Sequence, residues 1–150
     1  MMGTESIQRY RSVIHFIPLL FAVVTIAGCG DGRPVRVPVT GIVLIDGKPL
    51  KSGNIKFVPD KGRPSASKIG EDGRFNLTCY DGNDGALLGS HRVQVSSNRI
   101  ISDSKIEWFA PQEYADFRTS GIEVEVAEAI ENLKIELSWG GRKGPYIDGS

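Results

Sequence analysis

Two side chains beyond the N-terminal segment have the types that nucleophilic or metal chemistry needs, His91 and Cys79. A catalytic thiol requires a base within hydrogen-bond reach, and a zinc site requires three or four ligands. His91 begins one predicted strand and Cys79 follows another, so their positions predict neither a catalytic pair nor a metal site. We expect His91 at the surface or at a sheet edge, and Cys79 as a semi-buried, small apolar side chain.

The segment DGNDG at residues 81–85 offers carboxylate and amide oxygens, which are the ligands that calcium prefers. An EF-hand loop needs the pattern D-x-[DN]-x-[DN]-G and a glutamate at its twelfth position. Here the spacing fails by one residue, and Arg92 stands at the twelfth position. The segment is interpreted as a plain turn, with cation binding as its alternative. The sequence therefore predicts no cofactor, no metal ligands and no catalytic residues.

The other cysteine, Cys29, closes an N-terminal apolar segment. Polar residues that include Arg9 and Arg11 precede the run VIHFIPLLFAVVTIAG. Its apolar core of about 14 residues is shorter than the roughly 20 that a permanent membrane span needs. Ala27 and Gly28 stand directly before the cysteine. The sequence IAGC resembles the bacterial lipobox, in which the cysteine thiol is diacylated and the cysteine becomes the new N-terminus.

The lipobox interpretation assigns a signal peptide to residues 1–28 and a lipidated cysteine with its tether to residues 29–37. More than one acyl chain anchors a protein stably, since each buried CH₂ contributes about 0.8 kcal/mol. We therefore expect a domain of the bacterial cell envelope, outside the cytoplasm, held to a membrane through lipid on Cys29. The alternative is an uncleaved signal anchor in which the cysteine has no role.

The charge of the chain argues against one class of partner. There are 18 basic and 18 acidic residues, and removal of residues 1–28 with Arg9, Arg11 and Glu5 leaves 16 and 17. A nearly neutral domain lacks the basic face that nucleic-acid binding needs. We therefore expect no nucleic acid, and an envelope protein or a glycan of open identity as the partner.

An aromatic segment, EWFAPQEY at residues 107–114, holds Trp108, Phe109 and Tyr114 without strand alternation. If exposed, these rings would form a ligand patch that stacks on sugars or binds a protein. If buried, they would cover one open end of the domain. They lie in a connection of about 23 residues, a length at which packing or binding is expected. Burial of Trp108 and Tyr114 on the domain's own apolar residues is the preferred interpretation.

The elements that must position these residues are predicted to be β-strands. Alternating apolar and polar residues, bounded by turn signals, predict seven strands of a β-sandwich within residues 38–139. The strands are residues 39–45, 54–58, 65–70, 74–78, 91–97, 122–126 and 133–137. The inward positions are Val43, Ile55, Phe57, Phe75, Leu77, Val93, Val95, Ile122, Val124, Val126, Leu133, Ile135 and Leu137. Residues 127–133 are interpreted as a loop, and residues 140–150 as a flexible tail.

The order of strands and turns also carries a family resemblance. VTGIVLIDGKPLKSGNIKFVPDKGRPSASKIGEDGRFNLT, followed by GALLGSHRVQVS, resembles the carboxypeptidase regulatory-like family, whose members are transthyretin-like β-sandwiches. The chain is similar over residues 38–138 to small lipoproteins of this type from planctomycete bacteria. The motifs are specific for fold, because they record turns such as Asp46-Gly47 and Asp72-Gly73. They imply no activity, since the family is mostly uncharacterised.

These observations predict a single all-β domain with a non-enzymatic role in interaction or structure at the cell envelope. A carbohydrate- or small-ligand-binding module is the alternative, and exposure of Trp108 distinguishes the two. A hydrolase is the least favoured function, because no base, nucleophile and orienting group stand at compatible positions.

Overall fold

A computed structural model describes residues 32–149 of the chain. The predicted signal peptide and the predicted lipidation site Cys29 lie outside the described residues. Within the described range, no helix is long and apolar enough to cross a bilayer.

The described part of the chain folds into thirteen strand segments and one 3₁₀ turn. In chain order these are β1 (Arg36–Val37), β2 (Val39–Ile45), β3 (Lys48–Pro49), β4 (Asn54–Pro59), β5 (Ser65–Lys68), β6 (Arg74–Asn76), β7 (Ala86–Leu87), β8 (Gly89–Ser96), β9 (Asn98–Ser102), β10 (Lys105–Trp108), the 3₁₀ turn Gln112–Ala115, β11 (Ile122–Val126), β12 (Ile130–Leu137) and β13 (Tyr146–Asp148). The all-β class is confirmed, and each of the seven predicted strands has a counterpart. The predicted number is too low, because the short strands β1, β3, β7, β9, β10 and β13 carry too little alternation to be recognised.

Two sheets carry most of the domain. One sheet has the order β11-β8-β4-β5, and all its pairs are antiparallel. In the other sheet, β2 pairs with β12, with β3 and with β6. The pairing of β2 with β12 is parallel and sets Val43 beside Ile135. The first and the last long strands of the domain are therefore neighbours. The remaining strands of the described residues form two smaller sheets, β1-β7 and β13-β10-β9.

Both large sheets contribute side chains to one hydrophobic core. Its members from the predicted inward set are Val43, Ile55, Phe57, Phe75, Leu77, Val93, Val95, Val126, Ile135 and Leu137. The other three inward positions, Ile122, Val124 and Leu133, are half-buried against this core. A Cβ on Gly41 would lie 2.2 Å from the Leu133 carbonyl oxygen, so the absence of a side chain allows β12 to approach β2.

The two ends of the predicted domain differ from what the sequence suggested. Residues 146–148 form β13, which pairs antiparallel with β10, so a flexible tail at residues 140–150 does not describe this part of the chain. Gly and Pro around this short strand hid it from pattern analysis. At the other end, β1 pairs with β7, so strand structure begins inside the predicted tether of residues 29–37.

Two connections also differ from the prediction. Residues 127–133 are a loop only in part, because β12 begins at Ile130 and continues through a bulge before Leu133. Asn132 in this bulge has a φ of 57°, a conformation that asparagine tolerates better than most residues. The long connection after residue 97 holds the β9–β10 hairpin and the 3₁₀ turn.

Candidate functional site

The strands run between two ends of the domain, which have different surfaces. At the entry end lie residues 32–38, with the connections 60–64 and 79–88. The opposite, distal end carries the turn between β2 and β3, the start of β4 and the residues that follow β12. The register shows this polarity, since Asn54 pairs with Ser96 at one end of β4 and Pro59 pairs with His91 at the other.

A tight turn at Asp46-Gly47 forms one wall of a cleft at the distal end. Asp46 and Gly47 have φ of 46° and 79°, as in the type I′ turn that suits a two-residue hairpin. The Asp46 carboxylate accepts hydrogen bonds from the Ser138 hydroxyl at 2.8 Å and from the Trp139 N–H at 3.3 Å. The turn is thereby held to the end of β12 by a polar contact between residues 92 positions apart.

Trp139 forms the floor beside this turn. The Gly144 backbone packs on the indole so closely that a Cβ there would lie 1.9 Å from Cε2. The Tyr146 ring meets the indole edge-on at a centroid distance of 5.8 Å, a favoured geometry for aromatic pairs. Trp139 is consequently buried, and the strand β13 is what covers it.

Phe109 reaches the same cleft from the end of β10. Its N–H donates to the Ser97 carbonyl oxygen at 2.9 Å, which ties the segment to the end of β8. The cleft has a volume of about 480 Å³ and is lined mainly by apolar atoms of Ile45, Pro49, Leu50, Phe109, Trp139 and Pro145. This size and lining are typical of small-ligand sites in proteins.

Two lysines give the cleft its charge. Lys48 and Lys51 line it, are exposed, and make no ion pair among residues 32–149. Asp46 is the acidic residue of the lining, and its carboxylate already accepts two hydrogen bonds. The arrangement suits noncovalent binding of a small molecule with an apolar body and an anionic group.

The structure separates the three aromatic residues that the sequence grouped together. Trp108 is buried, with 7% of its surface exposed, and it is not part of the cleft lining. Tyr114 is half-buried against the core, and its hydroxyl oxygen accepts a hydrogen bond from the Ser138 N–H at 3.3 Å. Only Phe109 of the three lines the cleft. The predicted burial agrees with the position of Trp108, and Tyr114 packs on the core as predicted but remains half-buried.

Trp139 is one of the cleft residues that sequence analysis did not propose. The signal was present, because Leu133, Ile135, Leu137 and Trp139 continue a single period of two. The predicted strand ended at residue 137, two residues before Trp139.

His91 was expected at the surface or at a sheet edge, and this expectation is wrong. It is 1% exposed and lies on β8, between β4 and β11. Its Nε2 is 2.8 Å from the Leu87 carbonyl oxygen and must carry the proton, because a carbonyl only accepts. The ring also packs against Phe57 at a centroid distance of 5.9 Å. His91 stands two and four residues before Val93 and Val95, so its side chain points to the same inward face of β8. This position in the strand buries His91 although its side chain is polar.

The other candidate residues have structural surroundings. Cys79 is a free thiol and is more fully buried than the semi-buried position that was expected. In the segment 81–85, the Asp84 carboxylate accepts hydrogen bonds from the backbone N–H groups of Cys79, Tyr80 and Asp81. Arg36 also donates to it, at 2.6 Å. These contacts are those of a turn whose carboxylate is already satisfied by protein donors. Among residues 32–149, no cluster of three or more His, Cys, Asp or Glu side chains has the arrangement of a metal site.

Comparison of the chain with protein-family models, with curated proteins and with solved structures finds no match.

Proposed function

We propose that this chain is a lipid-anchored, non-enzymatic β domain of the bacterial cell envelope, with a role in interaction or structure. The observation that carries the anchor is the sequence IAGC at the end of a short apolar run. The position of the folded domain supports it, because β1 begins at Arg36, seven residues after Cys29. A tether of this length spans at most about 25 Å, as suits a domain held next to a membrane.

In this proposal the two large sheets pack as a transthyretin-like β-sandwich, similar to carboxypeptidase regulatory-like domains. The core shared by both sheets supports this arrangement. The turns that carry the resemblance support it too, since Gly47 and Gly73 have φ of 79° and 80°.

The non-enzymatic part of the proposal is supported by the surroundings of the histidine. General acid–base catalysis needs a group that reaches its substrate. His91 is buried, and its Nε2 is engaged by the Leu87 carbonyl oxygen. The cleft at the distal end lies far from it along β8 and offers amines, one satisfied carboxylate and the Ser52 hydroxyl.

The anchor is tested by expression of the chain in a bacterial host. Wild-type protein should partition into the detergent phase and carry the mass of a diacylglycerol and an acyl chain on Cys29. Cys29→Ser should remain an uncleaved precursor or be released into the aqueous phase. A wild-type mature protein that begins at another residue and carries no lipid would contradict the proposal.

A second candidate function, binding of a small ligand, is favoured by the distal cleft. Its apolar lining and two lysines fit an aromatic anion such as 1-anilinonaphthalene-8-sulfonate, which reports binding by its fluorescence. We expect saturable binding and energy transfer from Trp139, with affinity reduced at least threefold in Lys48→Ala and Lys51→Ala.

The matched control for this test is Lys56→Ala, because Lys56 is an exposed lysine on β4 outside the cleft. This variant should bind the probe as the wild type does. Equal affinity of all four proteins would show that the probe binds elsewhere, and would leave interaction through other surfaces as the function. If the lysine variants weaken binding, envelope glycans can be tested by their ability to displace the probe from the wild-type protein.

A further inference from the structure

The entry end of the domain brings together segments that are far apart in the sequence. The Arg33 side chain pairs with Asp81. Arg36 pairs with Asp84, with 2.6 Å between Nε and Oδ2. In the connection 60–64, the chain passes so close to β7 that a Cβ on Gly62 would lie 2.6 Å from the Leu87 side chain. These contacts form one surface, through which the chain enters the domain.

Three arginines of this surface surround one aromatic ring. The guanidinium carbons of Arg33, Arg36 and Arg63 lie 4.7, 5.2 and 5.1 Å from the centroid of the Tyr80 ring. These distances are within the range of cation–π attraction. Arg33 and Arg36 are also engaged by their aspartates. Arg63 is exposed and makes no ion pair among residues 32–149.

Exposed apolar side chains lie at the same end. Val35 is 69% exposed and Leu88 is 46% exposed. Val35 directly precedes β1, and Leu88 directly follows its partner β7. Lys61 adds a further exposed cation from the connection 60–64. Arginine, lysine and tyrosine have apolar stems or rings with polar tips, and such side chains favour the interface between lipid and water.

The length of the link determines what this surface can meet. Cys29 is three residues before Gly32, the first described residue, so its acyl chains attach within about 11 Å of the entry end. A lipid on Cys29 would therefore keep this end at the bilayer surface.

We propose that the entry end rests on the phospholipid surface, with Arg63 and Lys61 bound to lipid phosphates and the exposed apolar side chains among the headgroups. This inference rests on the proposed lipid anchor at Cys29. It assigns an orientation, in which the distal cleft points away from the membrane. Anionic lipids strengthen the contact, since each basic residue near such a surface adds attraction.

The orientation is tested with purified acylated protein on vesicles of phosphatidylcholine with 30% phosphatidylglycerol. An environment-sensitive fluorophore is attached to Leu88→Cys at the entry end or to Lys48→Cys at the distal end. Spin-labelled lipids with a shallow nitroxide should quench the label at position 88 at least threefold more than the label at position 48. Wild-type protein treated with the same fluorophore is the control for reaction at Cys79, and it should remain unlabelled because Cys79 is buried.

Arg63→Glu should reduce quenching at position 88 by about half, and Lys56→Glu on the exposed part of β4 should leave it unchanged. Equal quenching at positions 88 and 48, in protein that still floats with the vesicles, would overturn the orientation and leave the anchor standing. Protein that carries no acyl chain and does not float would overturn the anchored function and the orientation with it.

Discussion

At the scale of single residues, the Asp84 carboxylate holds the turn that contains it through hydrogen bonds from backbone N–H groups. Burial by itself raises the pKa of this carboxyl group, but hydrogen bonds from the N–H groups of Cys79, Tyr80 and Asp81 and from Arg36 outweigh it and lower the pKa to about 2. The charged form is therefore favoured by folding. The stabilisation is complete above the unfolded-state pKa near 3.8 and is lost as the pH falls towards 2.

Asp84→Asn should lower the free energy of unfolding at pH 7 by about 1–2 kcal/mol, because the charged acceptor is lost. The difference from wild type should shrink between pH 4 and about pH 2, where the wild-type carboxylate takes up its proton. Urea unfolding at a series of pH values measures this difference.

Asp81→Asn is the matched control for that experiment. Asp81 stands in the same turn, but its side chain is 77% exposed and forms an exposed ion pair with Arg33. Such pairs contribute little, about 0–1 kcal/mol. A stability difference for Asp84→Asn that stayed constant from pH 7 to pH 2 would contradict the role given to its charge.

At the scale of elements, β13 shows how three residues can organise a site. Its pairing with β10 sets Tyr146 beside Trp108 in the register. Its approach also sets the Tyr146 ring against Trp139. Both tryptophans of the chain are consequently buried, and the floor of the distal cleft depends on a strand that lies after it in the sequence.

Ending the chain after Lys143 should expose both indoles, because the partner of β10 and the cover of Trp139 are removed. We expect a red shift of tryptophan emission and a loss of about 2–4 kcal/mol in the free energy of unfolding, comparable to removal of a packed aromatic side chain. Tyr146→Ala should reproduce part of this loss. Ile147→Ala, at an exposed position of the same strand, should change little. Unchanged emission and melting temperature after truncation would instead indicate a flexible tail.

At the scale of the whole molecule, the parallel pair β2–β12 determines where the entry end and the distal cleft lie. It sets Ile45 beside Leu137, so the residues that follow these strands meet at the distal end. The same directions leave the start of β2 and the residues before it at the entry end. The entry end and the distal cleft therefore lie at opposite ends of the domain, and the two surfaces can be altered independently by the substitutions described above.

The strands and their inward faces were predictable from the sequence, because a period of two is a local property of the chain. Val39–Ile45 and Ile122–Val126 have the predicted bounds. The turns at Gly47 and Gly73 were predictable for a similar reason, since a positive φ favours glycine wherever it occurs. The six missed strands, of two to five residues, were not, because so few residues hold too little of any pattern.

The sequence by itself determined the strand pattern, the turns and most of the core, all of which depend on neighbours a few residues apart. Only the tertiary structure decided that β12 runs parallel to β2 and that His91 meets Phe57 and the Leu87 carbonyl oxygen. It also decided that Phe109 and Trp139 share a cleft. These features depend on contacts such as that between Asp46 and Ser138, which are 92 residues apart. A local pattern shows that a side chain points inward, but which distant side chain it meets is determined by the pairing and packing of the sheets.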